Sequence, residues 1–145
     1  MRPATDPAHV VVDASSLVDF LLRPQPQSSL AVLMERGRGE LHTPALCDVE
    51  VLAALRRGVE RNRVPLNTAE EALADLADLP LNRWEHGVIL RRAFGLRHNF
   101  TAYDATYVAL AEALGATLLT ADLRLARAVR THTAVDVMEP ASRNG

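Results

Sequence analysis

Short apolar runs alternate with longer amphipathic stretches along this chain, and that alternation predicts repeated βα units. The first run, His9 to Asp13, holds Val10, Val11 and Val12 in succession. A β-branched run without polar alternation predicts a strand buried on both faces, as in a parallel sheet. Ser15 or Ser16 then starts a short helix through Leu17, Val18, Phe20 and Leu21, which Pro24 and Pro26 stop. A second helix is predicted from about Gln27 to Arg36, ended by Gly37 and Gly39, and Leu41 to Thr43 reads as a short strand. After Pro44, Leu52, Leu55 and Val59 fall at helical spacing in a helix from about Ala45 to Arg61.

Further on, Thr68 and Glu71 have the spacing of a capping box. The helix they open is expected to bury Ala72, Leu73, Leu76 and Ala77 and to expose Glu70, Glu71, Asp75 and Asp78. A helix from about Glu85 to His98 is expected to pair with it as a hairpin beside the sheet, between the second and third strands. Thr101 caps a strong helix with the stripe Tyr103, Tyr107, Leu110 and Leu114, and Gly115 ends it. Thr117 to Thr120 reads as a strand, Leu123 to Val129 as a helix and Ala134 to Val137 as a last strand. The fold class is therefore α/β: one domain over residues 9–138, with a central, mostly parallel sheet and helices on both faces. Residues 1–8 read as a flexible lead and 139–145 as a tail.

Composition narrows the chemistry. All 16 basic residues are arginine. A Walker-type phosphate site needs a lysine, so that class is excluded, as is Schiff-base chemistry. The single cysteine, Cys47, precludes an internal disulfide and a cysteine zinc site, and reads as a small buried hydrophobe. The five histidines (His9, His42, His86, His98, His132) are scattered in sequence. No apolar stretch nears the roughly 20 residues that cross a bilayer, and the polar, proline-bearing start does not resemble a signal peptide. A cytoplasmic location with no membrane contact is expected.

Open parallel sheets bind ligands beyond the carboxyl ends of their strands. Asp13 follows the first predicted strand and Asp122 the third. Glu50 lies early in the helix after strand two, and Asp104 in the first turn of the helix leading to strand three. Each has an ordinary alternative: Asp13, Asp104 and Asp122 as helix caps, Glu50 as a surface charge. Together they place one acid at each of four junctions that the topology can bring to one edge. Two carboxylates about 4 Å apart repel by roughly 4 kcal/mol at an effective dielectric near 20. With no lysine, and no arginine adjacent to any of the four, a hard divalent cation is the natural counter-charge. One or two Mg²⁺ or Mn²⁺ ions are expected, held directly by Asp13 and Asp104 and directly or through water by Glu50 and Asp122. Ser15 and Thr120 are candidate contacts to a water or phosphate oxygen, or else make local turn bonds. Such a site suits phosphodiester hydrolysis.

These residues resemble the motifs of PIN-domain nucleases. Val11-Val12-Asp13-Ala14-Ser15-Ser16-Leu17-Val18 resembles the opening motif, and Pro44 followed by Glu50 the second. Tyr103-Asp104-Ala105, running on through Tyr107-Val108-Ala109-Leu110-Ala111, resembles the third, and Leu119-Thr120-Ala121-Asp122 with Arg124-Leu125 the fourth. Size and lack of added domains are similar to VapC-type toxins of toxin–antitoxin pairs. The resemblance implies a Mg²⁺- or Mn²⁺-dependent endoribonuclease, a homodimer, a VapB-type antitoxin partner, and structured RNA targets such as tRNA or rRNA, with translation as the process stopped. It assigns the four family acids to Asp13, Glu50, Asp104 and Asp122.

RNA must reach an acidic site, so flanking cations are expected. Arg91, Arg92 and Arg97, near Trp84 in sequence, and Arg124, Arg127 and Arg130 are candidates, with a solvated arginine face as the alternative. With 4% aromatic residues, phosphate contacts and RNA shape should outweigh base stacking. An antitoxin arginine could replace the metal's charge, with Leu17, Phe20, Leu21 and Leu33 lining its groove or serving as plain core. A non-catalytic RNA- or protein-binding module on the same fold is the competing reading. A phosphatase working through an aspartyl intermediate ranks below both.

Overall fold

Val10, Val11 and Val12 are fully buried in the computed structural model, which describes residues 7–36 and 40–140. They form β1 (His9–Val12), the central strand of a five-stranded, all-parallel sheet with the order β3-β2-β1-β4-β5. Its other strands are β2 (Glu40–Pro44), β3 (Leu81–Trp84), β4 (Thr117–Leu119) and β5 (Val137–Met138). Fully burying one such valine contributes roughly 1.5–3 kcal/mol. The predicted stops at Gly37 and Gly39, the lead through residue 6 and residues 141–145 lie outside the described residues.

Helices α1 (Ala14–Leu22), α2 (Ser29–Arg36), α3 (Leu46–Glu60) and α4 (Leu66–Asp78) connect the strands on the β3 side of β1. Of these, α1, α3 and α4 pack on one another. Helices α5 (Leu90–Gly95), α6 (Ala102–Leu114) and α7 (Leu123–His132) belong to the return path towards β4 and β5, and α5 packs on α6. The winding direction reverses between β1 and β4, so right-handed crossovers put the two helix groups on opposite faces. The carboxyl ends of β1 and β4 thus flank the topological switch point.

Several expectations change. The expected hairpin of two helices does not form, because β3 lies between them and α4 and α5 pack with different groups. The span expected as one helix from Glu85 to His98 is a 3₁₀ turn (His86–Val88) followed by the six-residue α5. Helix α4 starts at Leu66 behind Pro65, whose φ of -60° suits a helix start, so Thr68 and Glu71 lie inside it and form no capping box. It buries Ala69, Ala72 and Leu76, whereas Leu73 and Ala77 are exposed. Helix α6 buries every residue from Ala105 to Ala111, while Tyr103 at its start is 65% exposed rather than in the core. Gly115 ends α6 in the left-handed region at φ 59°, as expected of a glycine C-cap. Glu139, expected in the tail, accepts a hydrogen bond from Ser29 Oγ through its carbonyl and pairs with Arg130. Among the described residues no helix is long and apolar enough to cross a membrane.

Candidate active site

All four predicted acids sit at the carboxyl edge of the sheet. Asp13 leaves β1 and Asp122 lies just past β4. Glu50 is one turn into α3, the helix that follows β2. Helix α6 precedes β4 and runs back against the strands, so its first turn, with Asp104, returns to the same edge.

Asp13 is 7% exposed and does not cap α1 with its side chain. Its Oδ2 accepts hydrogen bonds from Ser15 Oγ at 2.7 Å and Thr120 Oγ1 at 2.8 Å. Those hydroxyls are themselves fixed: the Ala121 amide donates to Ser15 Oγ and the Asp122 amide to Thr120 Oγ1. Ser15 and Thr120 thus hold the carboxylate between β1 and β4. Burial pushes the Asp13 carboxyl above its ordinary range, opposed by Ser15, Thr120 and the Ala14 amide and reinforced by Asp122. Thr120→Val keeps the shape but removes a buried donor, and is expected to lower stability by about 1–3 kcal/mol in urea titration. An unchanged midpoint would mean that this bond does not hold Asp13.

Glu50 and Asp104 feel the charge of Asp13. Burial raises Glu50 most; the hydrogen bond from Tyr107 opposes this, and Asp13 and Asp104 add to it. Burial also raises Asp104 most, followed by Asp13 and Asp122, with Arg124 and Thr101 opposing. Asp13, Glu50 and Asp104 thus each carry a charge contribution from a neighbouring acid, as a shared site requires. The capping alternative is realised for Asp122, whereas at the start of α6 Thr101 is the cap and only the backbone amide of Asp104 takes part. Asp122 Oδ1 accepts from the amides of Arg124 and Leu125, and the Thr101 hydroxyl accepts from the Asp104 amide. Arg124, two residues from Asp122, approaches its Oδ2 at 3.9 Å, but the guanidinium is 81% exposed, so the pair contributes little. The acids are not neutralised by arginine, and their all-oxygen donor set fits a hard divalent ion.

Their oxygens are not drawn together as three ligands of one ion. Among the described residues, His9, Glu40 and His42 alone bring three ligand atoms within 4.8 Å of one another. The two histidines, scattered in sequence, meet because β1 and β2 are neighbours, and this group lies at the amino ends of those strands. It could hold a metal, but Trp84 Nε1–H donates to His42 Nδ1 at 3.0 Å. Neutral His42 then carries its proton on Nε2 and donates to His9 Nδ1 at 3.2 Å, so both ring nitrogens of His42 are partnered without an ion.

Sequence reasoning missed Tyr107 as a site residue. Its phenol, on the buried face of α6, donates to Glu50 Oε1 at 2.6 Å. Cys47 is buried as expected, and burial pushes its thiol up to about 11. Of the candidate RNA contacts, Arg91 and Arg127 are exposed, while Arg97 lies 4.6 Å over the ring of Phe94. Arg92 is paired with Glu112 and Arg130 with Glu139. Arg124 shares a cleft with Asn99, Phe100, Thr101 and Asp104. Leu17 and Leu33 are core, whereas Phe20 and Leu21 are partly buried.

A five-stranded parallel sheet with four acids at its switch point defines a small α/β domain of one class. Residues 10–130 match the PIN domain, and the chain belongs to the PIN-domain family. Within that family it is similar to Ribonuclease VapC3 of Mycobacterium tuberculosis, with 40% identity over 87% of this chain and 91% of that protein. Among solved structures, PAE2754 from Pyrobaculum aerophilum superposes with a TM-score of 0.66 at 23% identity, over 91% of this chain and 83% of that one. VapBC2 from Rickettsia felis, bound to a DNA fragment from its promoter, superposes with a TM-score of 0.60 at 14% identity, over 91% and 98%. These two likenesses bear on the fold.

Proposed function

We propose that this chain is a divalent-metal-dependent endoribonuclease and the toxin of a toxin–antitoxin pair. The observation that carries the reading is the delivery of Asp13, Glu50, Asp104 and Asp122 by four different elements to the carboxyl edge of a PIN-domain sheet at its switch point. The 40% identity to a named ribonuclease supports RNA as the substrate.

Asp13 and Asp104 would hold Mg²⁺ or Mn²⁺ directly, with Glu50 and Asp122 reaching it directly or through water. When bound, one or two such ions supply the positive charge that activates a water and stabilises the leaving oxygen. Ser15 and Thr120 keep Asp13 in place for this role. Arg91, Arg97, Arg124 and Arg127 are the cations through which RNA phosphates approach, and the Glu112 partner of Arg92 makes that residue a weaker candidate. A VapB-type antitoxin is the proposed partner, consistent with a solved VapBC neighbour. The exposed side chains of Val88, Leu90 and Phe94 support a homodimer contact.

The test is purified protein with labelled structured RNA, tRNA and rRNA fragments among them, in Mg²⁺, Mn²⁺ or chelator. Internal cleavage that needs the ion is expected. Binding of RNA without cleavage under every divalent ion would reject the nuclease and leave the non-catalytic module. Growth arrest on expression, relieved by a small neighbouring gene, is the expected result for the toxin.

A further inference from the structure

The geometry points to Tyr107 as the positioning residue for Glu50: a buried phenol on one face of the sheet pins a carboxylate delivered from the other. This deepens the nuclease reading and rests on it for the role of Glu50.

Glutamate is a poor ligand until its side chain is fixed, because burying it forfeits up to roughly 1.5–2 kcal/mol of rotamer freedom. Glu50 is half-buried near the start of α3, and nothing in its own helix orders its carboxylate. Tyr107 supplies the order. It is 1% exposed, and its hydroxyl donates to Glu50 Oε1 at 2.6 Å. Among the described residues Oε2 takes no hydrogen bond and remains uncommitted.

The Cys47 and Thr43 side chains are fully buried, and the Thr43 hydroxyl donates to the Val12 carbonyl at 2.9 Å. Cys47 lies three residues before Glu50 on α3, and Tyr107 three residues after Asp104 on α6. Residues three apart are neighbours on a helix surface, so Cys47 and Tyr107 each sit one turn from an acid. The Tyr107–Glu50 bond therefore ties together the two helices that carry the lateral acids. A ring needed only for packing would leave its hydroxyl indifferent to a carboxylate; this one makes a short, charge-assisted bond.

The test compares Tyr107→Phe, which keeps the ring, with Leu110→Val, a packing change one turn further along α6. Groups that orient metal ligands typically matter by 10–100-fold in affinity or activity. Tyr107→Phe is expected to lower kcat for RNA by about 10–100-fold with KM within about twofold, and to weaken Mn²⁺ binding to the RNA-free protein about tenfold by electron paramagnetic resonance. In crystals, Glu50 is expected in one rotamer in the parent and dispersed in Tyr107→Phe. Leu110→Val should lower the melting temperature and leave the other readouts alone. Tyr107 is reduced to packing if Tyr107→Phe merely tracks Leu110→Val, or if Glu50 stays in place without the hydroxyl. Should the parent cleave no RNA, the nuclease reading falls by itself, while the Glu50 rotamer and Mn²⁺ affinity still decide the role of Tyr107.

Discussion

Asp13→Asn is expected to reduce RNA cleavage at least about a thousandfold, which corresponds to about 4 kcal/mol of lost transition-state stabilisation. Asparagine keeps the size of the side chain, and its amide oxygen can still accept from Ser15 and Thr120 at the position of Oδ2. What disappears is the negative charge, and a hard divalent ion depends on charged oxygen ligands. Since the hydrogen-bond frame survives, circular dichroism and hydrodynamic size should match the parent. Asp104→Asn belongs in the same range. Asp122→Asn should fall less, because Asp122 Oδ1 is already committed to the start of α7 and asparagine caps a helix about as well. The measurement is single-turnover cleavage of a labelled RNA at saturating Mg²⁺ or Mn²⁺. Parent-like cutting by Asp13→Asn would remove Asp13 from the catalytic set.

The sequence is legible where chemistry and topology coincide. An acid directly after a strand, or in the first turns of a helix beside one, must lie near the carboxyl edge once the sheet is parallel. That is why Asp13, Glu50, Asp104 and Asp122 can be nominated before any coordinates. Strand β1 is equally legible, since three consecutive valines have no exposed face to choose. Strand β3 is not. Leu81-Asn82-Arg83-Trp84 puts two exposed polar residues in its middle, as an edge strand can, and its pairing with β2 supplies what the pattern lacks. The Pro80 break before it is the one local signal. Helical periodicity marks Tyr107 as core but is silent on where a phenol oxygen ends, and Glu50 lies 57 residues away in the chain. His9 and His42 illustrate the same limit: 33 residues apart in sequence, they are brought together by strand register.

In chelator, the melting temperature of Asp13→Asn is expected to rise relative to the parent as pH increases from about 4 to 7, and divalent ion is expected to close the gap. Asp13, Glu50 and Asp104 are all raised above their ordinary values of 3.8, 4.5 and 3.8. Folding therefore favours their protonated forms. The stability they contribute is fully present below the unfolded values and is lost as pH rises through the folded ones. At neutral pH the metal-free parent carries several unscreened carboxylates at the switch point, and the Asp13→Asn substitution neutralises the most buried of them. An ion that binds only the folded state adds about 2.7 kcal/mol at a hundredfold excess over its Kd. For a chain near 150 residues this is roughly 5–10 °C, at about 2–4 °C per kcal/mol. Mn²⁺ or Mg²⁺ should produce that rise in the parent at pH 7, much less of it at pH 4 where protons compete, and little in Asp13→Asn. Calorimetry across that pH range separates the contributions, because groups elsewhere titrate alike in both proteins and cancel in the difference. A gap that ignores both pH and metal would mean that the four carboxylates are solvated independently, and the shared site would be lost with it.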